Sequence, residues 1–274
     1  MPIAPRALAA LALIVFALFV RPAAADPVIG FLVEADSLAR TADEPALGAF
    51  VQENAILVGA AVGQLLDVAF ALRDEDPAAA EENVVLARRV ADLHAARGGS
   101  SVPAALVTTS EGWTDDERAT KVRAAALEAE AAAARQAGDA ARDVELLREA
   151  ESLYESIDDR RAVAINRGTQ GVAHWYAGDW PAVEAAYERA LDARRAIEDR
   201  ILEGRTLNGL GSAHFQQNLF EDALVWYERA IELRERTGDA VGLATSLTYA
   251  ANCEQALGRL VRARQLLERA LPVL

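Results

Sequence analysis

The residues Tyr187-Glu188-Arg189-Ala190-Leu191 return as Tyr227-Glu228-Arg229-Ala230-Ile231 and again as Leu267-Glu268-Arg269-Ala270-Leu271, each copy 40 residues after the last. Self-similarity at a fixed spacing of this size signals a repeat architecture and overrides any local reading. At the same offset Asp159, Asp199 and Asp239 align, and so do Gly138, Gly178, Asn218 and Gly258. The units therefore run 119–158, 159–198, 199–238 and 239–274. Each divides in two at its Gly or Asn, residues that tolerate the left-handed backbone that ends a helix. In the third unit Ala223, Leu224, Tyr227, Ala230 and Ile231 follow the spacing i, i+1, i+4, i+7, i+8, which is one apolar helix face. Pro181 stands in a first turn, where its missing N–H is harmless, and Asp239 is placed to cap the helix that follows it. The expected fold is all-α, an α-solenoid of stacked antiparallel helix pairs.

Upstream the pattern decays. His94, His174 and His214 share one phase of the 40-residue period, and Gly98 falls in phase with Gly138. A helix from about Ala78 to Arg97 is thus expected as the first half of a degenerate repeat, within an N-terminal helical region spanning 26–97. Residues 98–118 are rich in Gly, Ser, Thr and Pro and read as a linker or an irregular second half of that repeat. Residues 44–74 form an apolar helical run that a neighbouring element must cover.

The third unit presents Leu207, Leu210-Gly211, His214, Ala223, Tyr227 and Ala230 in the order of a tetratricopeptide repeat, which it resembles. The second matches at Gly171, Tyr187 and Ala190, and the fourth at Leu247, Ala263 and Ala270, with Ala251 in the glycine slot. Two features depart from the family: Glu235 stands where a closing proline is usual, and the period is 40 rather than 34. The extra residues imply lengthened helices, similar to the long-helix variety of kinesin light chains and several bacterial regulators. The resemblance implies a superhelix whose first helices line a concave groove for a peptide or protein partner. By position it places Trp175, Tyr176, Arg205, Asn208, Ser212, Phe215 and Asn252 in that groove. Trp175 beside Phe215 would offer aromatic anchors, and Arg205 with Asn208 would hold a peptide backbone or carboxylate. The lysine and asparagine clamp that some members use for C-terminal carboxylates is not reproduced.

Residues 1–25 read as a signal peptide: Arg6 precedes an apolar core from Ala7 to Val20, and Ala23-Ala24-Ala25 offers a cleavage site. Cleavage after Ala25 would deliver a secreted or periplasmic chain with no membrane insertion. An uncleaved N-terminal membrane anchor is the alternative, although 14 apolar residues fall short of the roughly 20 that span a bilayer.

Composition narrows the function. Among 274 residues, 28 Lys and Arg face 42 Asp and Glu, a net charge of -14 that argues against nucleic acid as a partner. Cys253 is the sole cysteine, so neither a disulfide within the chain nor a cysteine zinc site is expected. Equivalent histidines of stacked helices point in parallel from axes about 8–10 Å apart, which does not suit a shared metal. No Asp or Glu spacing supplies them with a second ligand. Cys253 is equivalent to Ala213 and Ala173, marking a tight slot for an inert thiol. The recurring Glu-Arg pairs read as a solvated outer face. No phosphate-cradling loop, metalloprotease helix or nucleophile elbow occurs, so no catalytic residue, cofactor or metal is expected.

The expected function is a non-enzymatic, extracytoplasmic interaction scaffold. Repeat arrays ordinarily finish on a polar capping helix, whereas the fourth unit runs to Leu271-Pro272-Val273-Leu274. Two alternatives therefore stand beside the scaffold: a self-assembling structural protein that forms homo-oligomers through this C-terminal face, or the docking half of a longer secreted or signalling enzyme.

Overall fold

The computed structural model describes residues 26–41 and 43–271; the signal-peptide expectation for 1–25 lies outside the described residues. The described residues fold as helices without strands and divide into two compact units, one up to Ser110 and one from Glu111.

The first unit holds α1 (Pro27–Arg40), α2 (Glu44–Glu53), a 3-10 turn (Ala55–Leu57), α3 (Val58–Leu72) and α4 (Pro77–Ala96). Asp26, Asp43 and Asp76 cap α1, α2 and α4, each followed within two residues by the proline that a first turn accommodates. The expected apolar run over 44–74 is broken, because the Asn54 amide donates to the Phe50 carbonyl at 2.9 Å and the 3-10 turn redirects the chain. The stretch Ala55–Leu72 is long and apolar enough to cross a bilayer. Here its Val58, Val62, Leu65 and Val68 are buried, and α3 packs along α4. α4 covers the expected Ala78–Arg97 to within a residue at each end, and His94 accepts the Ser100 N–H at 3.2 Å under the turn that ends it.

Helix α5 (Val102–Gly112) occupies the middle of the stretch 98–118 and runs across the division between the units. Beyond it come α6 (Asp115–Gln136), α7 (Ala140–Ser156), α8 (Arg160–Ala177), α9 (Trp180–Ala196), α10 (Arg200–Gln216), α11 (Phe220–Thr237), α12 (Ala240–Ala256) and α13 (Leu260–Ala270). They pack as four successive pairs, α6 with α7 through α12 with α13, and each pair packs on the next. This is the predicted all-α solenoid of antiparallel helix pairs.

The first helix leaves each pair through a left-handed residue: Gly138, Gly178, Asn218 and Gly258 have φ of 79°, 72°, 60° and 75°. The glycine of the repeat pattern is explained by its neighbour, since a Cβ at Gly211 would run into the Tyr227 ring and one at Gly171 into Tyr187. A first helix without a side chain at that point lets the aromatic of the second helix lie flat against it. Tyr227 then closes a core with Leu224, Ile231, Leu247 and Cys253. In the fourth pair both members change together, Ala251 for the glycine and Leu267 for the tyrosine.

Candidate interaction groove

The seams between repeats are ionic. Asp159, Asp199 and Asp239 are buried, and each accepts a backbone N–H at the start of its helix, from Ala162 at 3.0 Å, Leu202 at 2.9 Å and Gly242 at 2.9 Å. A helix N-terminus favours such a carboxylate, but a buried charge also needs a partner. The preceding first helix supplies one: Lys121 Nζ lies 2.8 Å from Asp159 and Arg161 Nη1 2.5 Å from Asp199. Ile201 stands at the next equivalent position, and Asp239 instead faces Arg234 Nε at 3.5 Å.

First helices are also joined directly. Asn166 Nδ2 donates to Glu128 Oε1 at 2.7 Å, and Ser246 Oγ donates to Asn208 Oδ1 at 2.9 Å, the same two positions two seams apart. Burial raises Glu128 above the usual carboxylate range, opposed by the bonds from Asn166 and from the Tyr154 hydroxyl at 3.1 Å. Gln170, fully buried, donates to Glu151 and Asn166 and accepts from Arg189 Nη2 at 3.0 Å. Glu188, Arg189, Glu228, Arg229, Glu268 and Arg269 are all exposed, as expected of a solvated face, and Arg189 makes its bond to Gln170 from there.

Two arginines missed by sequence reasoning complete the seams. Arg194 and Arg234, 40 residues apart at the ends of second helices, are both buried. Arg234 Nη1 donates to the Gly242 carbonyl at 2.5 Å and Ser246 Oγ at 2.6 Å. Arg194 Nη1 donates to the Leu202 carbonyl at 3.1 Å and to Thr206 Oγ1. Burial pulls the Arg194 guanidinium down to about 10, with Asp199 opposing and the like charges of Arg205 and Arg161 reinforcing the effect. Their shared phase in the 40-residue period was the available signal.

The predicted groove residues fall into two groups. Tyr176, Arg205 and Asn252 are exposed on α8, α10 and α12, Tyr176 at 69%. The others serve packing as well. Asn208 is buried in its bond with Ser246, and the Ser212 and Tyr227 hydroxyls share a hydrogen bond of 3.0 Å. Trp175 and Phe215, expected beside each other, each pack edge-on against the start of their own second helix, Trp175 on Trp180 at 5.0 Å and Phe215 on Phe220 at 5.2 Å.

The remaining candidates take structural places. Cys253 is fully buried and its thiol is pushed up to about 12 by burial, with Glu254 adding to it. His214 lies over Trp226, with centroids 6.3 Å apart, and its Nε2 is 3.2 Å from Glu184 Oε1. A carboxylate therefore does reach one histidine, which the spacing had not suggested, because it comes from the second helix of the preceding repeat. Among the described residues no cluster of three or more His, Cys, Asp or Glu side chains forms a metal-binding group.

Residues 202–274 match the tetratricopeptide repeat family profile. No curated protein matches the sequence. Among solved structures the fold is similar to BtubC (BKLC) from P. vanneervenii, with TM-score 0.51 and 18% identity over 78% of this chain and 89% of that one. It is similar to aspartyl phosphate phosphatase F from Bacillus subtilis, with TM-score 0.54 and 13% identity over 83% of this chain and 54% of the phosphatase. A signal transduction ATPase with numerous domains from Pyrococcus horikoshii, which carries a tetratricopeptide repeat sensor, gives TM-score 0.54 and 16% identity over 89% of this chain and 37% of its own. The chain thus spans about half of the phosphatase and little over a third of the ATPase. At these identities the likeness is one of fold.

Proposed function

From the premise that this chain is built on tetratricopeptide repeats, matched over residues 202–274, we propose that it is a non-enzymatic scaffold that works outside the cytoplasm and binds a peptide or protein partner along its row of first helices. The observation that carries the reading is that Tyr176, Arg205 and Asn252 are exposed, one on each of α8, α10 and α12. Exposed tyrosine and arginine on first helices suit recognition, since Tyr and Arg are enriched among the residues that contribute most binding energy. The apolar core at residues 7–20 and the Ala23-Ala24-Ala25 site support export. Scaffolding by such repeats needs no catalytic group; His94 and Cys253 are buried and His214 lies over Trp226.

The test is site-specific photo-crosslinking in the native cell envelope. A benzophenone side chain at Tyr176 or Asn252 is expected to capture the same partner, while one at Glu232, exposed on α11, captures none. Equal capture at all three positions would sink the groove reading. A second reading, self-association, rests on α13 and the residue that follows it, where Leu260, Val261 and Leu267, with Leu271 beyond, are 65%, 65%, 43% and 66% exposed. Light scattering decides it: a monomer at tens of micromolar removes it.

A further inference from the structure

Each seam fills one set of equivalent positions in its own way. Between the second and third repeats Trp226 packs against the core that holds Leu191 and Leu210, stacks over His214, and has the Arg229 guanidinium 4.7 Å above its ring. Between the first and second, Ala186 stands in place of Trp226, and the buried Gln170, in place of Leu210, is bonded to Glu151 and Arg189. Between the third and fourth, Leu266 replaces Trp226 and Ala250 replaces Leu210. Both changes remove volume, and a cleft of about 670 Å³ remains there, with Leu224, Ile231, Ala250 and Leu266 as its apolar lining.

Glu254, which stands in the place of His214, also lines this cleft and is only 5% exposed. Among the described residues its Oε2 is the one carboxylate oxygen buried without a hydrogen bond. Arg259 Nη1 lies 3.6 Å from Oε2 and Arg262 Nη1 3.8 Å from Oε1, both beyond hydrogen-bond range. Arg259 already donates to Glu221 at 3.1 Å, and Arg262 is exposed. Glu228 and Glu268 add two exposed carboxylates to the lining, the second 3.5 Å from Arg264. Arg269, the other guanidinium there, is held by Glu235 at 2.7 Å. A buried carboxylate oxygen without a donor is costly. An apolar cleft of this size with a few convergent polar groups has the form of a small-molecule site.

We propose that this cleft binds a small aromatic amine, with its ring over Leu224, Ile231 and Leu266 and its ammonium donating to Glu254. The neighbouring seam is the template, since the Trp226 ring, the His214 imidazole and the Glu184 carboxylate come together there at the equivalent positions. The ammonium displaces the exposed Arg262, which makes no hydrogen bond to Glu254. Its own charge-assisted bond to a desolvated carboxylate is worth more than the same bond in water. The cleft shares no residue with the candidate groove, so the proposal does not depend on the groove reading.

The test is a ligand-observed NMR titration of the full chain with tryptamine and, as the matched anion, indole-3-propionate. Tryptamine is expected to bind, and indole-3-propionate to bind about tenfold more weakly or less. Glu254→Gln, which keeps the shape and removes the charge, should weaken tryptamine about tenfold. Leu266→Trp, which rebuilds the ring of the neighbouring seam, should abolish its binding. Circular dichroism checks that both variants are folded, and Glu228→Arg, at an exposed position, should weaken tryptamine through like charge without touching the core. Failure of tryptamine to bind at millimolar concentration overturns the proposal, and so does equal binding of the two probes. Undiminished tryptamine binding in a folded Leu266→Trp variant, or in Glu254→Gln and Glu228→Arg alike, overturns it by placing the site elsewhere.

Discussion

The turns between repeats and the turns inside them are built from the same parts and have drifted differently. Inside the repeats the turns begin second helices at Asp139, Asp179, Leu219 and Arg259; all four are exposed, the first two cap their helices, and the last two make no side-chain cap. Between the repeats Asp159, Asp199 and Asp239 are kept, and all are buried caps. A cap alone contributes about 1 kcal/mol and can be lost. A cap that is also one half of a buried ion pair cannot be lost without stranding the other half. The seams thus determine how one repeat sits on the next, while the internal turns need only reverse the chain.

The largest test of that contrast compares Asp199→Ala with Asp179→Ala. The first removes a cap and deprives Arg161, whose side chain is 14% exposed, of its carboxylate; the expected loss is about 4 kcal/mol, most of it from breaking a buried pair. The second removes an exposed cap only, for about 1 kcal/mol. Urea denaturation followed by helical circular dichroism measures both. Equal losses would mean that the seam pair adds nothing beyond capping.

Much of this was legible in the sequence because the repeat reports on itself. The 40-residue offset located every helix pair in the second unit, the left-handed residues 138, 178, 218 and 258, and the caps at Asp159, Asp199 and Asp239. What escaped was interaction between repeats. The pairings of Lys121 with Asp159 and Arg161 with Asp199 join residues 38 positions apart, across a helix pair, and no helical periodicity links them. Asn208 was read as a groove residue because its helix face points that way, yet it is buried by a serine from the next first helix. The ring contacts of Trp175 and Phe215 escaped as well: Trp180 and Phe220, five residues on, sit within reach after the turn, and both first-helix aromatics are half-buried. A face can be read from spacing, but which neighbour satisfies it depends on the turn geometry in between.

The contrast also predicts a gain. Leu219 opens α11 with no side-chain cap and is 44% exposed, so it neither caps nor packs fully. Leu219→Asp restores at this internal turn what Asp139 and Asp179 do at theirs, and should stabilise by about 1 kcal/mol. For a domain of this size that is a rise of about 2–4 °C in a thermal melt. No rise would show that the exposed leucine compensates through contacts with the rest of the turn.

The smallest effect separates the seams from one another. Just before the cap the backbone is left-handed at all three, yet the residue is Gly238 (φ 68°) at one and Glu198 (φ 58°) or Asp158 (φ 51°) at the others. A non-glycine residue pays about 1–2 kcal/mol in this region, and glycine costs about 0.5–1 kcal/mol in chain entropy instead. Asp158, exposed, has a local use for its side chain, a 3.0 Å bond from Arg160 Nε, whereas Glu198 is half-buried. Glu198→Gly is therefore expected to stabilise by about 0.5 kcal/mol, and Gly238→Glu to destabilise by a similar amount, both read as shifts in urea midpoint at constant slope. If Glu198→Gly instead destabilises, the glutamate contributes to holding the second seam, and the strain at that turn is offset by a contact of its own rather than tolerated.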